Sequence, residues 1–329
     1  MDEANTTDTQ DEVRMIQSVC SFTISVLGML GNCVAIYQIV SRGLYQQTCN
    51  VYILNLSINN LLTCVIVLPV LGANSFSDGW VMGSFFCSFF PYIMHSLTCI
   101  ETSALILITV NRYVLVVHPV TYRIYYSSRR FNAMLLSFPV MFFLLLQLLP
   151  FTGTWGHFTY HKDKLYCTFS QTDRGTRTYI VFLCSLILVT TIPVLAYCYC
   201  RILWTYVKSK KRLNHSSGTP KSENDQSSKW LSSKQDIQLI RTVVIIMVCY
   251  SVTHIPFLVV NVVDSDFKQI GVVAYTFLTY LALSHTAINP VVYALLNTQI
   301  NSNLRCCQSL CQKRNETSVH LRQTAVSPS

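Results

Sequence analysis

The charged residues of this chain are segregated, and that segregation limits the possible folds more than any other feature. Only 12% of the 329 residues are charged, against roughly a quarter in an average soluble domain. Seven stretches carry no charge at all: 15–41, 43–77, 79–100, 131–161, 178–200, 242–263 and 269–304. Each reaches the roughly 20 residues that a helix needs to cross a bilayer. The sequence therefore predicts an all-α membrane protein, a seven-transmembrane helix bundle.

The spans divide the chain into three regions. We predict helices near 15–41, 50–76, 84–117, 131–152, 177–206, 237–263 and 270–295. Residues 1–14 form an acidic extracellular tail, with no basic segment that would indicate a signal peptide. Within the transmembrane domain, 15–295, the polar residues 207–235 are predicted to form a flexible third cytoplasmic loop. Residues 296–329 are predicted to form a short C-terminal amphipathic helix and a cytoplasmic tail.

The distribution of Lys and Arg predicts the orientation. With seven crossings, the side of the N-terminus holds 6 of the 24 Lys and Arg residues and the other side holds 18. The positive-inside rule then puts the N-terminus outside the cell, in a multi-pass protein of the plasma membrane. The net charge of +9 is accounted for by this topology, with membrane lipid as a partner and no nucleic acid. Asn5 begins a glycosylation sequon on the outer side.

Most of the 14 cysteines lie within the spans, where they are small apolar residues. Cys87 and Cys167 lie at outer helix or loop positions, in an oxidising compartment. A disulfide between them is the pairing that this topology permits, and two free thiols are the alternative. On the opposite side, Cys306, Cys307 and Cys311 are candidates for palmitoylation, with unmodified thiols as the alternative.

Six motifs, in order and each on the expected helix, resemble those of rhodopsin-like (class A) G-protein-coupled receptors and cover about 260 residues. They are Gly31-Asn32; Thr48-Cys49-Asn50 with Asn55-Leu56-Ser57 and Pro69; Trp80 and Gly83 ahead of Cys87; Asn111-Arg112-Tyr113 with His118-Pro119; Pro256; and Asn289-Pro290 with Tyr293. The resemblance implies a receptor, not an enzyme, that activates a heterotrimeric G protein. It also implies arrestin and receptor kinases as partners.

The same resemblance assigns roles in activation. Arg112 would hold the sixth helix closed at rest and meet the G protein when that helix moves, with Tyr113 beside it and Tyr199 as a partner on the fifth helix. Proline removes a helix hydrogen bond, so Asn289-Pro290 would let the segment before Tyr293 rotate. Two of these switch residues depart from the family pattern. Asn111 replaces the acid next to the arginine, which implies a weaker resting lock and some basal activity; the alternative is that asparagine serves as well. His254 replaces the tryptophan two residues before Pro256.

Glu101 is the one acid within a predicted span, and such acids are candidates for function by default. By resemblance it lies at the level of the family's sodium pocket, where Asn60 replaces the usual aspartate of the second helix. His285, Thr286 and His254 are expected to face the same pocket. We predict a switch that binds sodium or a proton; the alternative is a neutral glutamic acid hydrogen-bonded to Asn60 for structure.

The sequence excludes some classes of ligand more firmly than it identifies one. Met94 stands where amine receptors of the family place an aspartate, and Leu283 where opsins carry the retinal lysine. The stretches around His254–Asp264 and Cys167–Arg174 are similar to the medium-chain fatty acid receptor and its relatives, which implies a lipid or carboxylic acid with Arg174 as its anchor. The candidate ligand-binding residues are Met94, His95, Arg174, His254 and Asn261. A solvated loop arginine is the alternative for Arg174.

Two other classes of protein are alternatives to a receptor. A seven-helix transporter or channel has the same hydropathy, but it is expected to repeat its halves and to carry several ionisable groups at mid-membrane. This sequence has one acid there and no repeat. An enzyme is disfavoured because no HExxH or GxSxG motif and no catalytic or metal-ligating set occurs. Apart from the sodium ion of the Glu101 pocket, no metal or other cofactor is expected.

Overall fold

The computed structural model describes residues 2–77, 79–162, 164–170, 172–215, 234–264 and 270–296. Across these ranges the chain forms a bundle of seven long helices. They are α1 (Asp2–Ser41), α2 (Thr48–Phe76), α3 (Gly83–Val117), α4 (Arg129–Phe151), α5 (Arg174–His215), α6 (Lys234–Val263) and α7 (Gly271–Leu296). Shorter elements are a 3-10 turn (Leu44–Gln46), a helix (Pro119–Tyr125) and two strands, β1 (Phe158–His161) and β2 (Tyr166–Phe169).

The predicted spans agree with these helices to within a few residues, except where polar sequence extends a helix. Residues 2–14, predicted as a tail, continue α1, since no Gly or Pro interrupts the chain there. Residues 207–215, predicted as part of the third loop, are the last turns of α5. Of the predicted segment 296–329, Leu296 is the last residue of α7. The rest of the expected amphipathic helix and tail, with Cys306, Cys307 and Cys311, lies outside the described residues.

The surface of the bundle suits a membrane. Six of the described helices, α1 to α6, are long and apolar enough to cross one. Large apolar side chains such as Leu27, Leu30 and Phe138 are exposed, whereas asparagines, a glutamate and histidines are buried between the helices. Such broad apolar exposure is expected on a surface that meets lipid. The fold therefore places its polar chemistry inside the bundle.

Proline shapes the second helix. A π-helical turn, Thr63–Val67, divides α2, and Pro69 follows it in the first turn of the segment Leu68–Phe76. Proline has no N–H to donate, so the preceding turn cannot keep the regular helical pattern. A wider turn at this point is the usual accommodation. The second helix is therefore irregular just before Pro69.

Two residues of the Gly31-Asn32 motif hold α1 against α7. A Cβ on Gly31 would lie 2.7 Å from the ring of Pro290, so only glycine allows this close approach. Asn32 Nδ2 donates to the carbonyl of Gly28 at 2.8 Å and to that of Thr286 on α7 at 3.0 Å. The motif is therefore a packing and hydrogen-bonding device between the two helices.

The strands form an antiparallel hairpin in which Tyr160 pairs with Cys167. Cys167 is also disulfide-bonded to Cys87 near the start of α3, with 5.2 Å between their Cα atoms. The disulfide prediction is confirmed; the hairpin itself was not predicted. We call the end of the bundle that carries this hairpin the hairpin face, and the opposite end the Arg112 face.

Candidate ligand cavity and switch residues

A cavity lies beneath the hairpin, between α3, α5, α6 and α7. Its empty space, including the part that is open to solvent, is about 570 Å³. Polar lining residues are His95, Thr98, Lys164, Thr168, Asn261 and Tyr275, and the rest of the lining is Cys99, Phe169, Ile180, Leu183, Cys184, Ile187, Phe257 and Leu258. The cavity therefore offers a large apolar wall and a small number of polar groups.

The roof of this cavity is fixed to α3 at two places. One is the Cys87–Cys167 disulfide. The other is His95, whose ring stacks on Phe169 with 4.3 Å between centroids and whose Nε2 lies 3.1 Å from the hydroxyl of Thr168. Both hairpin residues belong to β2. The hairpin is thus an ordered wall of the cavity, held to the same helix that continues to the Arg112 face.

Lys164, in the turn of the hairpin, gives the cavity a positive charge. Its side chain is 6% exposed, and its Nζ lies 4.0 Å from the centre of the Tyr275 ring on α7. An ammonium over an aromatic face is attracted by the ring. Among the described residues that line the cavity none is acidic. Lys164 is therefore the one Lys or Arg among the described residues of the lining.

Two of the five predicted ligand-binding residues line the cavity, and the other three do not. His95 and Asn261 line the cavity. Met94 is buried in an apolar cluster with Phe90 and Leu97, and His254 is buried outside the lining. Arg174, the expected anchor of a carboxylate, is exposed at the first residue of α5 and does not line the cavity. Lys164 is the cation there instead, because the hairpin turn reaches over the cavity and the start of α5 does not.

Below the cavity, the buried acid of α3 meets a histidine of α7. Glu101 Oε1 lies against His285 Nε2, and both side chains are 2% exposed. His285 Nδ1 lies against the carbonyl oxygen of Ala282, one turn earlier on α7. The expectation that Glu101 and His285 share a pocket is met by this direct contact.

Two more of the residues predicted for this pocket, Asn60 and Thr286, are buried but do not bond to the acid. Asn60 is fully buried, and its amide has no hydrogen bond to any described residue. Thr286 donates its hydroxyl hydrogen to the carbonyl of Leu283 at 2.8 Å. The alternative of a glutamic acid hydrogen-bonded to Asn60 is therefore wrong. The partner is on α7, not α2.

Aromatic contacts extend the Glu101–His285 pair to α6. The ring of His254 meets that of His285 edge to face, 4.4 Å between centroids, and stacks on the ring of Tyr250 at 4.3 Å. The hydroxyl of Tyr250 lies 2.5 Å from that of Thr102, next to Glu101 on α3. These contacts form a closed ring of side chains through α3, α7 and α6. On α6 the ring includes His254, which is two residues before Pro256.

At the Arg112 face the guanidinium of Arg112 is buried and donates to the thiol of Cys49 on α2. The resemblance implied a contact with the sixth helix, and no sequence pattern pointed to Cys49. Asn111 is fully buried, and its amide forms no hydrogen bond within the described ranges. The hydroxyl of Tyr113 lies 3.0 Å from His118 Nε2 and 3.4 Å from the hydroxyl of Tyr197.

The remaining predicted switch residues lie on α5 and α7. The hydroxyl of Tyr199 is 3.5 Å from that of Thr109, one turn before Arg112 on α3. Asn289 is 1% exposed, and its amide bonds to none of the described residues. Tyr293 lies in the last turns of α7. Tyr199 therefore contacts α3 through Thr109, and its expected pairing with the switch residues stays a prediction.

A sequence model of one protein family matches the middle four-fifths of the chain. The family is described as 7 transmembrane receptor (rhodopsin family), and the match covers residues 31–293. The chain belongs to this family. The receptor's fold is also that of squid rhodopsin, with a TM-score of 0.75 over 89% of this chain and 84% of that one, at 18% sequence identity.

Curated relatives are distant in sequence. The receptor is 25% identical to "Protein trapped in endoderm-1" of Drosophila melanogaster, over 85% of this chain and 73% of that protein. It is 22% identical to "G-protein coupled receptor moody" of the same organism, over 90% of this chain but only 51% of that protein. It is 23% identical to the "Pyroglutamylated RF-amide peptide receptor" of Rattus norvegicus, over 88% and 68%. The family is shown; the ligand is not.

Proposed function

We propose that the receptor lies in the plasma membrane with the hairpin face outside, and that it converts occupancy of the cavity into activation of a heterotrimeric G protein at the Arg112 face. One observation carries this proposal: α3 contributes His95 to the cavity and Arg112 to the opposite face. These residues are 17 positions apart, about 26 Å along a helix axis. A ligand that moves α3 against its neighbours therefore acts on both sites.

The distribution of Lys and Arg supports the proposed orientation, and a relative supports the proposed partners. The positive-inside rule puts the end with most of the Lys and Arg residues in the cytosol, and that is the Arg112 face. The relative moody is named as a G-protein coupled receptor. Arrestin and receptor kinases are included in the proposal as further partners at this face, as the family resemblance implies. Anionic lipid of the inner leaflet would meet its basic residues.

For the ligand we propose a lipid-like anion such as a carboxylic acid with an apolar chain. Lys164 is a nearly buried cation at one side of the cavity, where an anion would make a charge-assisted hydrogen bond. Ile180, Leu183 and Leu258 also line the cavity, where an apolar chain would leave water. The proposal replaces Arg174 by Lys164 as the anchor.

The experiment that tests the function is guanine-nucleotide exchange on a panel of G proteins. Membranes that contain the receptor are compared with matched membranes that lack it, with and without a panel of apolar carboxylates. The proposal predicts faster exchange for at least one G protein, increased further by a carboxylate. Substrate or ion flux through the receptor without any exchange would contradict it and favour a transporter or channel.

A further inference from the structure

Near the Arg112 face, α5 holds two cations against one tryptophan ring. The guanidinium carbon of Arg201 lies 5.1 Å from the centre of the Trp204 ring, and Nζ of Lys208 lies 4.6 Å from the same centre. A cation over an aromatic face is attracted by the ring. The three residues stand at positions i, i+3 and i+7, so they share one face of the helix. We call them the α5 basic stripe.

The stripe lies where α5 leaves the apolar part of the membrane. Arg201 is the first charged residue after the uncharged stretch 178–200, so it marks the boundary between hydrocarbon and headgroups. Trp204 is 54% exposed, and its apolar neighbours Leu203 and Val207 are exposed as well. Tryptophan is enriched at this boundary. The stripe therefore belongs to a surface that meets lipid.

The positive charge of the stripe is not neutralised by the described part of the receptor. Residues 102–162 and 174–222, which include α4, α5 and the part of α3 after Glu101, contain no Asp or Glu. Nε of Arg201 has no hydrogen-bond partner among the described residues. The sequence adds three more basic residues at 210–212. A cluster of this kind at the end of a transmembrane helix attracts anionic phospholipid.

We propose that the α5 basic stripe binds the headgroup of a phosphorylated phosphatidylinositol, in the leaflet at the Arg112 face. Two cations require more than one negative charge, whereas the headgroup of phosphatidylserine has a net charge of only one. Phosphate groups on an inositol ring supply the additional charge. Because Arg201 and Lys208 are about 10 Å apart along the helix axis, separate phosphates of one headgroup suit them.

Each member of the stripe has a different role in this site. The planar guanidinium of Arg201 would donate two parallel hydrogen bonds to one phosphate. The ammonium of Lys208 would contact a second phosphate as a point charge. Trp204 positions both cations and offers its indole N–H as a further donor. The acyl chains of the lipid would lie along Leu203 and Val207.

The direction of the stripe favours lipid over the G protein as its partner. The stripe continues the face of α5 that carries Tyr197, one turn earlier, and the hydroxyl of Tyr197 lies 3.4 Å from that of Tyr113. Tyr199, which contacts α3 one turn before Arg112, is about 200° further round the helix. The stripe therefore lies on a different side of α5 from the residue that faces the Arg112 region.

The test is thermal unfolding of the purified receptor in two kinds of nanodisc. One contains phosphatidylcholine with phosphatidylinositol bisphosphate, and the other contains phosphatidylcholine with enough phosphatidylserine to give the same surface charge. We expect a Tm that is roughly 2–4 °C higher with the phosphoinositide, because a ligand that binds only the folded state stabilises it. Equal Tm values in the two lipids would overturn the proposal, since they would indicate only a diffuse attraction to negative charge.

Variants assign the effect to the stripe. Arg201→Gln combined with Lys208→Gln should abolish the difference between the two lipids, and Trp204→Leu should reduce it. The control Arg129→Gln with Arg130→Gln removes the same charge from the exposed start of α4 and should keep the difference. If the double variant of the stripe fails to fold, the exposed Lys208→Gln alone should still reduce the difference. A difference that persists in the stripe variants, or is lost equally in the control, would overturn the assignment.

The placement of this site in the inner leaflet rests on the proposed function, whereas the headgroup site itself does not, because nanodisc lipid reaches both faces. Nucleotide exchange in the same nanodiscs separates the two. A receptor that shows the predicted lipid dependence of Tm but promotes no exchange would contradict the proposed function and keep the headgroup site. Loss of exchange in the stripe double variant, with its lipid dependence of Tm intact, would assign the cations to the G protein and overturn the inference.

Discussion

Arg112 on α3 donates a hydrogen bond to the thiol of Cys49 on α2, while Asn111 beside it forms none within the described residues. In the family pattern an acid at the Asn111 position would hold the arginine. Here a neutral thiol on a neighbouring helix contacts it instead. A thiol is a weaker acceptor than a carboxylate, so the resting position of Arg112 depends on a modest interaction between two helices.

Removal of that acceptor should raise basal activity. Cys49→Ala leaves the guanidinium of Arg112 buried with one partner fewer in the resting state. Loss of a hydrogen bond to a charged group costs about 1.5–3 kcal/mol, roughly a ten- to hundredfold shift toward other states. The measurement is ligand-free nucleotide exchange, normalised to surface expression. Cys198→Ala, a buried cysteine of α5, is the matched control and should keep wild-type exchange. Equal basal exchange in both variants would show that Cys49 does not hold Arg112.

The disulfide between Cys87 and Cys167 should be needed for the cavity. It closes a loop of 80 residues, for which chain-entropy estimates give about 4 kcal/mol. Cys87→Ser or Cys167→Ser should lower the surface level of the receptor and the stability of the hairpin, measured by antibody labelling of intact cells and by thermal unfolding. Cys33→Ser, at an exposed free cysteine of α1, should change neither. Wild-type levels and Tm in both hairpin variants would contradict the prediction.

Asp173 should stabilise the start of α5 in a pH-dependent manner. Its Oδ2 accepts hydrogen bonds from the hydroxyl of Thr176 at 2.8 Å and from its backbone N–H at 2.7 Å. The hydroxyl bond is the largest cause that lowers the pKa of Asp173 below its ordinary value, followed by the backbone bond, and burial opposes them. A lowered pKa means that the stabilisation is complete above the ordinary value, about 3.9, and is lost as pH falls through the lowered one.

The variant Asp173→Ala should therefore unfold at a lower temperature than the wild type above about pH 4, and the difference should shrink in more acidic solution. Asp173→Asn is the matched control, because its amide oxygen still accepts a hydrogen bond but does not titrate. Its offset from the wild type should be smaller than that of the alanine variant. A difference between wild type and Asp173→Ala that grows as the pH is lowered would have the wrong sign.

Lys164 should set the potency of anionic ligands. Lys164→Met keeps the apolar stem and removes the charge, and a hydrogen bond to a charged group is worth about 1.5–3 kcal/mol. The half-maximal concentration of an activating carboxylate should rise roughly ten- to hundredfold, whereas the methyl ester should be equally weak on both proteins. Lys162→Met, an exposed lysine near the same turn, is the control. Equal potency on the wild type, Lys164→Met and Lys162→Met would show that Lys164 does not bind the ligand. If potency fell only in a further variant, Arg174→Met, then Arg174 would be the anchor instead.

The spans could be predicted because the length and charge of a segment are properties of the sequence alone. Cys87–Cys167 could be predicted too, since the topology leaves few cysteines outside the membrane. Contacts between helices depend on how each helix is rotated, which hydropathy does not give. Glu101 was therefore expected to face Asn60 as well as His285, and it contacts His285 alone of these two.

Two other features required three-dimensional information. Lys164 comes to the cavity only because its strands fold back as a hairpin over α7, and two four-residue strands leave little signal in a sequence. Cys49 on α2 and Arg112 on α3 are 63 residues apart along the chain, and they meet only because these two helices pack side by side. No sequence pattern indicated this contact.

The central claim is that this receptor activates a G protein through Arg112, and nucleotide exchange in the Arg112→Ala variant tests it most directly. The exposed Arg123 of the short helix Pro119–Tyr125 provides the comparison, because an exposed rim charge mainly steers association and is sensitive to salt. With surface expression matched, exchange should be abolished in Arg112→Ala and only slowed in Arg123→Gln, the more so at low salt. Undiminished exchange in Arg112→Ala would contradict the account.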